Sequence, residues 1–523
     1  MMEAKEGSES DERGDLQQPV QNRYTIWSVR DRRLLVVLLG YLALASSLTA
    51  NIYFPLIDLL AGRYGVSVQA INLTITVYIV VQGIVPSFWS PLSDSWGRRP
   101  VYLATFVIFT LASLGLSITD RNYPALLILR AVQSVGASGI VSLAYASVAD
   151  VIVHSERGAY LSPLLTITNL GPCIGPIIGG GLVLASGDPR WCFRTLLIFG
   201  GSATLLIGWA MPETGRSIVG NGAVPAQGIW RTWQSVFTEN TVMSSLKASL
   251  QDGEQTHHRR RERELELESE VNIGRTGRGK TTMPNLWPAL RIGFYADTFL
   301  ILWLAGSPSA IWFCIQTSIS PIFSAQYGFN PLEVGLCFLA GGVGVIAAGF
   351  VAGRLMDWNY RHVAREAGFP IDRVRGDDMK NFPIERARSR GSISIILMSV
   401  GLIVGYGWIV EAKVHPAVPL VFQAFIGCRC TTLHQTYGAL IVDIFPEKTG
   451  AAAASKNIIR CTLAGILVAV LDLLVNAVGY GWTFTLLGLL DATTCVGATV
   501  ALNRWGKAWR DHRHQVSVND TVT

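Results

Sequence analysis

The sequence predicts an all-α membrane protein whose twelve transmembrane helices form two six-helix halves. Composition is the first reason: of 523 residues half are apolar and only 15% are charged, and mean hydropathy is +0.35. A soluble globular chain carries about 25% charged residues. The second reason is a series of twelve apolar runs, each close to the roughly 20 residues that cross a bilayer as a helix. The third is a lopsided distribution of the 43 Lys and Arg residues. These figures exclude a soluble enzyme, a disordered chain, a collagen-like fibre and a disulfide scaffold.

Residues 1–33 are polar and carry charges of both signs. They lack the short apolar core and small-residue cleavage site of a signal peptide, so a disordered cytosolic tail is expected. Spans near 34–54, 70–90, 100–118, 123–145, 160–184 and 194–211 make an N-terminal half, 34–211. A cytosolic linker, 212–291, follows. Spans near 297–320, 332–352, 391–411, 417–442, 455–476 and 480–503 make a C-terminal half, 292–503, and residues 504–523 a cytosolic tail. An even number of spans puts both termini on one side. That side holds 34 of the 43 basic residues, against 5 in the opposite loops and 4 within spans. Basic residues concentrate on the cytosolic face, so both termini are expected there. The net charge of +6 is therefore largely a mark of topology.

Several patterns mislead. Residues 274–281, GRTGRGKT, satisfy the phosphate-loop spacing, but that loop needs a strand before it and a helix after it. Only Val271 and Ile273 precede it, and Met283-Pro284 follows. The basic and acidic run at 257–270 reads as a solvated linker. The eight Cys show no zinc spacing, and Cys within spans behaves as a small apolar residue. Asn72-Leu-Thr74 and Asn519-Asp-Thr521 match a glycosylation acceptor in positions where no glycan is expected, and the glycine cluster at 341–349 serves close helix packing. No metal site, no cofactor and no nucleic-acid partner is expected.

Function-bearing signals come in a fixed order. Asp94, Gly97, Arg98 and Arg99 stand in a short turn between spans 2 and 3, in SPLSDSWGRRPVYL (90–103). Glycine permits a tight reversal there. The charges can lock one conformational state through charge-assisted hydrogen bonds to a neighbouring helix. Span 4 carries Arg130 and Gln133, one turn apart, and an arginine inside a bilayer faces a cavity or a partner. Span 5 repeats Gly171-Pro172, Gly175-Pro176 and Gly179 at four-residue spacing, a pattern that brings helices close and bends them.

The turn resembles the signature loop of the major facilitator superfamily, departing from it at Ser90 and Ser95. The fourth-span pair and the fifth-span repeat resemble the family's next two motifs, the latter that of drug:proton antiporters. PETGRSIVGNG (212–222), GRLMDWNYR (353–361), QTYGALIVDIFP (435–446) and the stretch around Asn457 and Arg460 resemble the fungal quinidine-resistance and citrate-exporter-like subgroup. The resemblance covers about 30–510. It implies the major facilitator fold, alternating access, proton coupling and export from a fungal plasma membrane.

Ionisable groups inside the membrane point to cargo and coupling. Arg130 and Arg429, in opposite halves, are candidates for holding an anionic group; alternatively Arg429 pairs internally, for example with Asp491. Asn51, Tyr78, Gln82, Trp312, Gln316 and His434 are candidate cavity residues, with helix–helix hydrogen bonding as the alternative for each. His434, Asp472 and Asp491 have the chemistry of a proton carrier. Span 1 lacks a central acid, Asp58 lying near its outer end. The expected protein is a monomeric, proton-coupled antiport exporter of a small organic molecule, a secondary metabolite or drug, embedded in the lipid bilayer. An organic-acid exporter of the citrate type and a transporter-like sensor are the alternatives.

Overall fold

The computed structural model of the chain describes residues 25–152, 157–222, 224–235, 291–366, 368, 382–445 and 449–522. The phosphate-loop pattern at 274–281 and the charged run at 257–270 lie outside these residues. Among the described residues all regular structure is helical. Span 1 comprises Val29–Asn51, a short turn at Phe54–Leu56 and Ile57–Tyr64; span 2 comprises Val68–Ile84 and Pro86–Trp96; span 3 is Arg98–Ile118. Span 4 comprises Tyr123–Ser138 and Ile140–Val151, span 5 is Arg157–Ser186 and span 6 is Arg190–Ala210. Spans 7 to 10 are Ala296–Tyr327, Pro331–Glu366, Ser392–Glu411 and Ala417–Ile444. Spans 11 and 12 lie in one stretch, Thr449–Val522, broken at Gly479 with φ 78° and ψ 172°.

The interruptions have local causes. Pro55 and Pro86 lack the N–H that would continue the helical ladder. At Gly139 the ladder gives way because the Trp89 indole N–H donates to the Val135 carbonyl at 2.9 Å. That carbonyl is the acceptor the Gly139 amide would otherwise use. Span 1 begins at Val29, earlier than the expected 34, because the Ser28 hydroxyl caps it by accepting from the Asp31 amide. Span 8 runs on to Glu366, well beyond the expected 352. Asn72 is buried inside span 2.

Among the described residues nine helical stretches are long and apolar enough to cross a membrane, Ala451–Arg513 being one of them. The fold is thus an all-helical membrane fold. In the first six spans, 1 packs on 5, 3 on 6, and 4 on both 2 and 3. In the last six, 7 and 9 pack on the 11–12 stretch and 8 on 10. Spans 5 and 8 meet across the molecule, as do 2 and 11. Arg513 pairs with Asp297 at the start of span 7 (2.7 Å), and Arg510 with Glu385 (3.2 Å), so the last helix is tied down on the side that carries the termini. That side is called the tail side below, and the opposite one the far side.

Candidate functional site

The turn between spans 2 and 3 is the most densely bonded feature of the tail side. Gly97 adopts φ +95°, a conformation that favours glycine. A Cβ there would stand 2.6 Å from Glu213 Oε2 and 2.8 Å from Trp230 Nε1. Arg98 binds Asp94 at 2.6 Å and Asp150, at the end of span 4, at 2.8 Å. Arg99 donates to the Gly208 carbonyl at 2.9 Å and to the Ile229 carbonyl. Glu213, from the segment after span 6, accepts from the amides of Arg98 (2.7 Å), Arg99 (3.1 Å), Thr214 (3.0 Å) and Gly215 (2.8 Å). A carboxylate thereby satisfies orphan amides at the start of span 3 and faces the positive end of its dipole. Burial pushes the Glu213 carboxyl up, and the four amides oppose that shift. Its capping role was not read from the sequence. Its place two residues after the expected end of span 6, in Pro-Glu-Thr-Gly, was the available signal. Every described partner of this cluster belongs to the first six spans or the segment after them.

The second group is the fifth-span repeat. A Cβ at Gly175 would lie 3.2 Å from Asn51 Cβ and Ile52 N; Gly171 abuts Ser47 and Gly179 abuts the Ile52 carbonyl. Gly180 abuts Pro331 of span 8, and a Cβ at Gly335 of span 8 would lie 2.5 Å from the Pro176 carbonyl. Pro172 and Pro176 sit within this run. The repeat is therefore a seam that lets span 5 touch span 1 and span 8 at backbone distance. Far-side contacts extend it. Phe54 stacks on Phe338 with centroids 5.9 Å apart, the Ser324 hydroxyl donates to Asp58, and Ser320 donates to the Pro55 carbonyl at 3.4 Å.

Between these layers lie the buried charges. Arg130 is fully buried, with Tyr53 and Tyr78 rings on it, each centroid 4.5 Å away. Its Nη1 donates to Gln133 Oε1 at 2.9 Å, and Gln133 donates to Ser113 at 2.9 Å. No carboxylate pairs with Arg130 among the described residues, its Nε has no partner, and neither does the Tyr78 hydroxyl. The sequence reading paired Arg130 with Gln133 but missed Tyr53, two residues beyond Asn51. Asn51 itself turns back on its own helix, donating to the Ser47 carbonyl at 2.7 Å.

In the other half Arg429 pairs with Asp491, both side chains buried. Ser307 donates to the free oxygen of that carboxylate. The internal pair that the sequence left open is thus formed, across spans 10, 12 and 7. Half-buried Lys456, Asn457 and Arg460 lie on span 11, and half-buried His434 lies on span 10. His434 Nδ1 lies 3.2 Å from the Ser309 hydroxyl and 3.1 Å from the Ala305 carbonyl. Asn457 donates to the Gln82 carbonyl at 3.0 Å, joining span 11 to span 2. Gln316 is buried and makes no hydrogen bond with a described residue, and Trp312 packs beneath Gly341 and Gly427. Asp472 lies near the far side, within electrostatic reach of Asp58.

A bundle of long apolar helices with polar and charged groups turned inward is that of a polytopic membrane protein. Residues 39–469 match the Major Facilitator Superfamily, and the chain belongs to that superfamily. It is 33% identical over 93% of its length to the MFS-type transporter phiD of Fungal sp. (strain ATCC 74256), covering 70% of that protein. It is 32% identical, again over 93% of its length, to Citrate exporter 1 of Aspergillus niger, covering 88% of it. It is 30% identical to the MFS-type transporter tstD of Talaromyces stipitatus, over 93% of this chain and 84% of that one. Among solved structures a D-xylose-proton symporter matches with a TM-score of 0.56 at 14% identity, over 89% of this chain and 97% of the other. That likeness bears on fold alone. The protein is a membrane transporter, not an enzyme.

Proposed function

We propose that this chain is a proton-coupled exporter of a small organic molecule, a fungal secondary metabolite or drug, working by alternating access in the plasma membrane with both termini cytosolic. The fifth-span seam carries the reading. Glycines at backbone distance from spans 1 and 8 close the far side, and the contacts across Phe54–Phe338 and Asp58–Ser324 reinforce that closure. In alternating access a closed far side belongs to the state whose interior opens to the tail side. Rocking of one half on the other around such a site is the general plan of secondary transporters. Of the titratable groups inside, His434 is the proton carrier. It is half-buried beside Ser309, whereas Asp491 is committed to Arg429.

Export of an organic acid is a second reading, favoured by the absence of a described carboxylate partner for Arg130. Purified protein in vesicles with an imposed pH gradient tests the first. Gradient-driven cargo movement is expected in the wild type, and loss of its gradient dependence in His434→Gln. Movement that ignores the gradient overturns proton coupling.

A further inference from the structure

The basic groups of span 11 are left over by everything above. Lys456 and Arg460 are four residues apart and so share one helix face. Like charges at that spacing repel, and ionisable groups within a membrane are costly unless paired or turned toward a polar space. Yet neither Lys456 nor Arg460 has a carboxylate partner among the described residues, and Lys456 makes no hydrogen bond with any of them. Arg460 spends only Nη2, on Asn457 Oδ1 at 2.9 Å and Cys461 Sγ at 3.3 Å.

Asp491, an acid buried in the same half, is occupied by Arg429 and Ser307. The neighbouring ionisable group, His434, supplies no negative charge. Two glycines make room for the pair. Lys456 Nζ lies 2.8 Å from where a Cβ on Gly438 would stand, and the Arg460 backbone lies 3.4 Å from the corresponding position on Gly306. Both cations are half-buried within a bundle whose far side is closed. They sit roughly 10 and 16 Å along span 11 from its tail-side start. Their partial exposure shows that neither is sealed off by packing.

We propose that Lys456, Arg460 and Asn457 form an anion subsite for the carboxylate of the cargo, which makes the cargo an organic acid; this inference rests on the transporter reading and names its substrate class. The C-terminal cation that meets cargo is then this pair rather than Arg429. The subsite also touches the contact between spans 2 and 11. Asn457 donates to the Gln82 carbonyl of span 2, and a Cβ on Gly83 would stand 2.7 Å from Cys461 Cβ. A carboxylate taking the Arg460 and Asn457 donors competes with that link and loosens the contact between spans 2 and 11.

Binding to the purified full-length protein in detergent tests this without any gradient. The probes are radiolabelled 4-phenylbutyrate, its neutral amide, and citrate. The wild type is expected to bind at least one of the two acids, and to bind 4-phenylbutyrate at least about tenfold more tightly than the amide if that is the acid taken, as expected for loss of a charge-assisted hydrogen bond. Citrate binding alone points to a polycarboxylate cargo, and 4-phenylbutyrate binding alone to a monocarboxylate. Lys456→Gln/Arg460→Gln is expected to weaken acid binding at least about tenfold, and Lys456→Arg to keep it. Binding of neither acid, equal binding of 4-phenylbutyrate and its amide, or unchanged acid binding in the double variant overturns the subsite. If the double variant is not monodisperse, the wild-type comparison of acids and amide decides alone. Acid binding that persists without any movement of the acid across vesicle membranes refutes the exporter reading and leaves the subsite standing.

Discussion

Arg130 and Arg429 are buried to nearly the same degree in opposite halves, yet they are kept there by different means. Arg429 is held by a carboxylate, Asp491, whose other oxygen is taken by Ser307. Arg130 is held by two tyrosine rings, a glutamine oxygen, the Thr49 carbonyl at 3.4 Å and no described acid. A guanidinium between aromatic faces keeps its full charge, and each ring contributes from about 0.5 to 2 kcal/mol as desolvation grows. The paired arginine is electrically spent, and the stacked one is not. The difference separates a group that fixes helices from a group available to an incoming anion.

The comparison can be broken most decisively at Asp491. Asp491→Ala orphans a buried arginine and is expected to cost about 3–5 kcal/mol, read as a large drop in thermal unfolding temperature in detergent. Arg429→Met/Asp491→Leu should regain most of it. A double variant no more stable than Asp491→Ala would show that the pair does more than hold spans 10, 12 and 7 together.

The next test is Arg130→Lys. An ammonium keeps the charge but loses the planar fork and the stacking. Transport is expected to fall at least about tenfold, with a stability loss smaller than that of Asp491→Ala because the ammonium keeps part of each ring contact. A collapse in stability as deep as that of Asp491→Ala would make the two arginines equivalent after all.

Smaller again is the effect at Glu213, an acid held by amides instead of by an arginine. Burial raises its carboxyl in the folded state, so its contribution is present below the ordinary value of 4.5 and declines as pH rises through the raised folded value. Glu213→Gln should flatten that decline in thermal stability on the mildly acidic side. A steeper decline would mean that the charged form is the favoured one.

The smallest effect is expected at the far-side cluster of Arg63, Asp188 and Arg190. Burial alone would raise the Asp188 carboxyl, but the Arg190 amide and guanidinium and Arg63 hold it below the ordinary 3.8. Its contribution is therefore present above about 3.8 and lost as pH falls below it. Asp188→Asn should remove that slope, measured as unfolding temperature between pH 5 and pH 3, with under about 1 kcal/mol lost at pH 7 for so exposed a pair.

Much of the fold was legible because long apolar runs and a one-sided distribution of basic residues are local and additive signals. Val29, Glu366 and Val522 were not legible as helix ends, since helical propensity outlasts the apolar stretch once a cap such as Ser28 or a partner such as Asp297 holds the polar turns. The site was half legible. Arg130, Gln133 and the fifth-span glycines announce themselves by being expensive or by their spacing. Tyr53 and Glu213 do not, because their roles depend on which distant residues the fold brings to them. Lys456 stands beside the expected start of span 11 at 455, but that span begins at Thr449 and carries the residue deeper than its apolar run suggests.

The break at Gly479 has a consequence for how the chain reaches its membrane. A single residue joins spans 11 and 12, and the amides of Tyr480 and Gly481, at the start of span 12, find their acceptor in Glu411 of span 9 at 2.8 and 3.3 Å. With no loop between them, these two spans form a tight helical hairpin, and its turn can be capped only when span 9 is in place. The order of synthesis, span 9 before 11 and 12, is also the order in which assembly can be completed.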